Sequence, residues 1–225
     1  MYFTQILNLK SLNLKIPVCI CFLLINSFAY CATRFWVSSS ASNWNNTENW
    51  SATCGGTTGA SVPSENDEVV FNDGGVGNCL LDVEVRVLDF EVGLYYTGMI
   101  YQISHPISIS GKAAFYGGSL IGGSNHITVN GKFHLAGSQF ISTSGVLELK
   151  AEALFSAGHF EHNRGTVRFS RPDSFSLTGI KPEFYTLNTT STEREFTLTP
   201  TENVPKESRY YLSENPQKPS NSFTH

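Results

Sequence analysis

Hydrophobic and polar positions recur along the middle of the chain with a period of twenty. Ile107, Ile127, Leu147, Val167 and Leu187 lie twenty residues apart, and two residues on come Ile109, Val129, Leu149 and Phe169. A second set, eight residues after the first, is Phe115, Leu135, Phe155 and Phe175. A third, thirteen after it, is Leu120, Phe140, Phe160 and Ile180. Every one of these positions is apolar. Backwards the pattern reaches Val87, Tyr95 and Ile100, with Asp89 interrupting it; forwards it fades after Leu187, where Thr189 and Glu195 fail. Within each repeat the period is two. Ile107-Ser108-Ile109, Ile127-Thr128-Val129, Leu147-Glu148-Leu149 and Val167-Arg168-Phe169 alternate in the way a half-buried strand requires. Gly111, Gly117, Gly118, Gly122, Gly123, Gly131, Gly137, Gly145, Gly158 and Gly165 punctuate these runs as corners. No window combines helical spacing with caps.

A unit of short strands and glycine corners is one turn of a stacked solenoid, because one turn cannot bury its own apolar face and its neighbours must. The expected fold is all-β: a right-handed parallel β-helix with about 20 residues per turn and a Trp-rich N-terminal cap. Like residues then stack down each column at the interstrand spacing of about 4.8 Å. Each buried side chain contributes roughly 1.5–3 kcal/mol before chain entropy is set against it. Lys112, Lys132 and Glu152 share one offset and read as a surface charge ladder. The rival architecture is an antiparallel meander or sandwich with a repeated hairpin. Stacked turns account better for the same residue class returning at the same offset.

Residues 1–31 read as a secretory signal peptide. Lys10 and Lys15 flank an apolar run from Ile16 to Ile25, which is too short to span a bilayer, so no transmembrane segment is expected. Cleavage is expected after Ala29 or after Cys31; a lipidated Cys31 is the alternative, with Tyr30 bulky just before it. Removal of the leader takes away two lysines, no acids, and Cys19 and Cys21. Cys54 and Cys79 remain, and in an oxidising compartment they are expected to form a disulfide; two free thiols are the alternative. Without a CxxC partner they are not a zinc pattern.

Residues 32–80 hold all three tryptophans, Trp36, Trp44 and Trp50, among Asn, Ser, Thr and Gly. A solenoid needs an atypical end to shield its first edge, so the tryptophans read as a plug; an aromatic platform for sugar rings is the functional alternative, carried by Trp44 and Trp50. Repeats are expected over residues 81–199 and a disordered, Pro-interrupted tail over 200–225. The tail shows no closing cap, which raises two expectations: a fragment of a longer protein, and edge-to-edge self-association.

Arg34-Phe35-Trp36-Val37, Asn43-Trp44, Glu48-Asn49-Trp50-Ser51, Gly59-Ala60-Ser61-Val62-Pro63 and Asp67-Glu68-Val69-Val70-Phe71 together resemble the opening of a family of bacterial secreted and surface proteins with a parallel β-helix. His162-Asn163-Arg164-Gly165-Thr166-Val167-Arg168-Phe169, followed by Phe184-Tyr185-Thr186-Leu187, is similar to a repeat junction in the same group. The likeness spans roughly residues 33–190. It implies an adhesin-like or autotransporter-passenger-like protein and carries over no catalytic residues. The chain departs from the family in being short, with no outer-membrane barrel, no sorting tail and few turns.

Composition narrows the classes further. Of 225 residues, 40% are apolar and 15% charged, with 19 glycines and 16 phenylalanines. That excludes a coiled coil and a mostly disordered chain. A net charge of −4 supplies no basic field for nucleic acid. Glycoside hydrolysis needs two carboxylates about 5–10 Å apart. Asp82 with Glu84, Asp89 with Glu91, and Glu148 with Glu152 are the pairs to weigh. The histidines fall at different offsets, and Asn72-Asp73-Gly74-Gly75 lacks the spaced acids of a calcium loop. No catalytic residue, metal or cofactor is therefore assigned. The expected partners are glycans or cell-surface and matrix components. A carbohydrate-active enzyme on the same scaffold and a truncated remnant of a surface protein are the alternatives.

Overall fold

Residues that alternate apolar and polar every second position, and return every twenty, form strands that pair in parallel with the turns before and after. The computed structural model describes residues 31–170 and, beyond them, 175–177, 180, 182, 184–189 and 209–212. The expected signal peptide, apart from Cys31, and most of the expected tail lie outside the described residues. Strands, stacked in parallel as a β-solenoid of about five turns, dominate the described chain.

Three ladders run along the stack. The first comprises β1 (Thr33–Trp36), β4 (Glu68–Phe71), β7 (Asp89–Val92), β10 (Ala113–Phe115), the first halves of β13 (Phe133–Ile141) and β15 (Ala153–Glu161), and β17 (Phe175–Leu177). The second comprises β2 (Ser42–Asn43), β5 (Cys79–Leu81), β8 (Met99–Gln102), β11 (Ser119–Ile121) and the second halves of β13 and β15. The third comprises β6 (Val85–Val87), β9 (Ile107–Ile109), β12 (Ile127–Val129), β14 (Val146–Leu149), β16 (Thr166–Phe169), β18 (Thr186–Thr189) and β19 (Arg209–Leu212). Because β13 and β15 run through the first two ladders, these merge into one sheet, while the third stands as a separate sheet.

The register reproduces most of the sequence columns. Ile107, Ile127, Leu147, Val167 and Leu187 pair in turn, as do Leu120, Phe140 and Phe160, and all point inward. Three expectations are corrected, each because a turn departs from twenty residues. Val85 and Val87, not Val87 and Asp89, lie opposite Ile107 and Ile109. Val92 rather than Tyr95 lies opposite Phe115, and Tyr95 is exposed. Leu177 rather than Phe175 lies opposite Phe155.

A further inward column, Phe90, Ala113, Phe133 and Ala153, sits two residues before Val92, Phe115, Leu135 and Phe155. Rungs β7, β10, β13 and β15 each carry one phenylalanine beside a smaller residue in these two columns. Bulk thus alternates between the two columns, so that a larger side chain on one rung lies over a smaller one on the next. The rings form a continuous file: Phe71 to Phe90 5.6 Å, Phe90 to Phe115 6.1 Å, Phe115 to Phe133 5.7 Å, Phe133 to Phe155 5.3 Å between centroids. Inward polar groups are satisfied at the corners. Buried Gln102 donates from Nε2 to the His105 carbonyl at 2.9 Å and accepts at Oε1 from the Gly123 amide at 3.0 Å. Buried Thr143 donates to the Gly123 carbonyl at 3.1 Å and accepts from the Gly145 amide at 3.0 Å. Gly118 turns a corner at φ 55°, where a Cβ would stand 2.5 Å from Tyr96 Cδ1, so only glycine fits.

The first end is closed. Trp36, Trp44 and Trp50 are fully buried, packed edge-on at 5.3 Å (Trp36 to Trp50) and 4.7 Å (Trp44 to Trp50). Indole Nε1 of Trp36 donates to the Gly77 carbonyl at 3.0 Å, and that of Trp50 to the Trp44 carbonyl at 2.8 Å. The short strand β3 (Trp50–Ser51) pairs antiparallel with β1 and covers an edge that would otherwise be open to another chain. Rung pairing already begins inside the cap segment, with Arg34 opposite Val69. Within the expected tail, Arg209–Leu212 pairs in parallel with β18.

Candidate functional site

Trp44 and Trp50, weighed as a sugar platform, have 1% and 0% of their surface exposed. The platform assignment is therefore corrected. Trp44 stacks on Phe90 at 6.3 Å with rings 4° from parallel, and neither indole offers a face to solvent. The expected Cys54–Cys79 disulfide is likewise absent: both thiols are free. Cys79 faces the core from β5, whereas Cys54 sits in an exposed loop and its Sγ accepts from Asn72 Nδ2 at 3.1 Å. Burial, with Asp82 adding to it, pushes the Cys79 thiol well above its ordinary range.

Of the carboxylates considered for chemistry, Asp82, Glu84, Asp89, Glu148 and Glu152 each engage a backbone amide or a cation. Asp89 Oδ1 accepts from the Lys112 amide at 2.7 Å, and the Lys112 ammonium lies 3.9 Å from Asp89 and 3.8 Å from Glu68. Asp82 accepts from the Asn45 amide at 2.9 Å, which ties the cap loop to the end of β5. Glu84 pairs with Arg86 at 2.8 Å, and Lys132 with Glu152 at 3.0 Å, as the charge ladder anticipated. Such exposed pairs contribute about 0–1 kcal/mol each. Asn72 Oδ1 accepts from the Gly74 amide at 2.9 Å, a simple turn. Among the described residues no three of His, Cys, Asp and Glu gather so as to hold a metal ion.

The outward surfaces of the ladders differ in charge. The third carries Arg86, Ser108, Thr128, Glu148 and Arg168 in register, with Arg168 3.7 Å and Lys150 3.6 Å from Glu148. The first carries Glu91, Ala114, His134 and Leu154 in register. His134 Nε2 lies 2.8 Å from Ser156 Oγ. Burial and then the Lys132 ammonium hold its imidazole below the ordinary range, against the pull of Glu152.

The second ladder is unlike both. Leu80, Tyr101, Ile121 and Ile141 lie in one outward row across β5, β8, β11 and β13. Beside it, two residues earlier on each rung, runs Met99, Ser119 and Gln139, with Ser119 Oγ 3.4 Å from Gln139 Oε1. Neither row holds a charge over these four rungs. Met99 is 41% exposed and Ile103, the residue after β8, 51%. The charge-free strip ends at β15, where His159 and Glu161 occupy the two rows. There a cavity of about 510 Å³ is lined by residues 158–162 with Ile180 and Pro182. The reading of the sequence missed this face, although Tyr101, Ile121 and Ile141 repeat at the same twenty-residue interval as the core. The signal was apolar residues at an offset where alternation places polar ones.

Among the described residues no helix is long and apolar enough to cross a membrane. Comparison of the chain with protein-family models, with curated proteins and with solved structures yields no match.

Proposed function

We propose that this is a secreted or cell-surface β-solenoid that acts by binding or scaffolding, its flat outer surface contacting glycans, matrix or neighbouring cells. The uncharged outward face of β5, β8, β11 and β13 carries this reading. A solvated sheet face ordinarily carries polar and charged residues, as the third ladder does, and a contiguous apolar stretch marks an interaction site. The leader-like residues 1–31 and the resemblance of the Trp-rich opening to bacterial surface proteins point the same way.

The test is incubation of the purified protein with a panel of polysaccharides, following both co-sedimentation and release of reducing ends. Binding without release supports a binding protein. Release of new ends overturns it in favour of a carbohydrate-active enzyme and directs attention to the acids from Asp82 to Glu91. Export is tested by N-terminal sequencing of protein recovered from the medium or surface of a secreting bacterial host. A start at Tyr30 or Ala32 is expected, and an intact leader contradicts it.

A further inference from the structure

The geometry points to a specific occupant for the charge-free face: a neutral, extended glycan lying along the solenoid axis. This deepens the binding proposal above and rests on it.

The chemistry of the strip is bipartite. One row is apolar (Leu80, Tyr101, Ile121, Ile141) and its neighbour includes a hydroxyl and an amide (Ser119, Gln139). A sugar ring has the same two aspects, an apolar C–H face and a rim of hydroxyls. The Tyr101 ring and the aliphatic row suit the first; Ser119 and Gln139, each both donor and acceptor, suit the second. The absence of charge selects against uronates and sulfated sugars. Such a ligand would surrender hydration to a surface that offers no cation in return.

Size argues against a protein occupant. Rungs about 4.8 Å apart make a four-rung row about 14 Å long, and rows two residues apart are separated by about 6.6 Å. Between the two row axes the strip therefore covers on the order of a hundred Å², far short of the roughly 800 Å² per partner that a stable protein interface buries. A linear oligosaccharide needs no more than such a strip. At one end it meets His159 and Glu161, so the neutral surface has a defined limit.

The experiment is titration calorimetry of the purified protein with cellohexaose and mannohexaose, and with an oligogalacturonate of similar length as the charged comparator. Tyr101→Ala and Ile121→Ser are compared with Ser108→Ala on the third ladder, and circular dichroism melts confirm that each variant folds. Both substitutions lie on an outward, half-buried row, so the core is retained. The expected result is binding of a neutral hexasaccharide, weakened about tenfold or more by Tyr101→Ala and by Ile121→Ser and unchanged by Ser108→Ala. Binding of a neutral sugar that both variants retain at full strength would overturn this face while leaving a glycan-binding protein. Preference for the oligogalacturonate would overturn the neutral ligand. If no sugar binds, the glycan occupant is overturned; if sedimentation then shows a dimer that Ile121→Ser dissolves, the occupant is a second copy and the proposal above is left with scaffolding alone.

Discussion

Truncating Phe155 to alanine probes how the stack holds together. Phe155 is fully buried, its ring 5.3 Å from Phe133, 5.6 Å from Phe160 and 6.3 Å from Phe184. In register it lies between Leu135 and Leu177. A buried Phe→Ala change removes about 3–5 kcal/mol, a large part of the roughly 5–15 kcal/mol by which a domain is stable. With a urea slope of about 2 kcal/mol/M, the midpoint falls by about 2 M. The assay is urea unfolding followed by far-ultraviolet circular dichroism and by tryptophan emission. All three tryptophans sit in the plug at the opposite end, five rungs from Phe155, about 24 Å at the interstrand spacing. If each turn stabilises its neighbours, the tryptophan transition moves with the circular dichroism transition. An unchanged midpoint in both probes would refute the inward stack. A tryptophan transition that stays put while the other moves would refute cooperative stacking.

Trp44→Ala is expected to lower stability by about 3–5 kcal/mol, read as a reduced urea midpoint, because the indole is core and not contact surface. Native protein treated with a thiol reagent should be labelled at Cys54 at once and at Cys79 only on unfolding, with identical mobility on gels with and without reductant. For His134 the folded state favours the neutral imidazole. The unfolded chain therefore takes up the proton first as pH falls below about 6.5, and stability present above that pH declines as pH drops through the folded value. His134→Gln should flatten this part of the acid-side decline in urea midpoints measured from about pH 7.5 to 5.

The third ladder from Ile107 to Leu187 was legible because its consecutive rungs stay twenty residues apart, so like residues recur at fixed offsets and stack. Where a turn changes length, a fixed offset misplaces residues, as it did for Val87, Tyr95 and Phe175. The column Phe90, Ala113, Phe133, Ala153 escaped notice because alanine carries little apolar signal, yet alternation of bulk depends on it. The tryptophans could be placed in the cap from composition, but only burial separates a plug from a platform. Two cysteines in sequence say nothing about whether one faces the core and the other solvent. The outward row was hidden for a different reason: an apolar residue at a strand position is ordinarily counted as core, and its direction appears only when the register is known.

Hydroxyl-radical footprinting, with and without whichever polysaccharide co-sediments with the protein, tests the account most directly. Met99 and Tyr101 on one rung, Ile121 on the next and Ile141 on the one after should be protected together, at intervals of twenty residues, while Leu94 and Tyr95 stay reactive. Protection confined to the segment from Asp82 to Glu91, or none at the twenty-residue intervals, would contradict it.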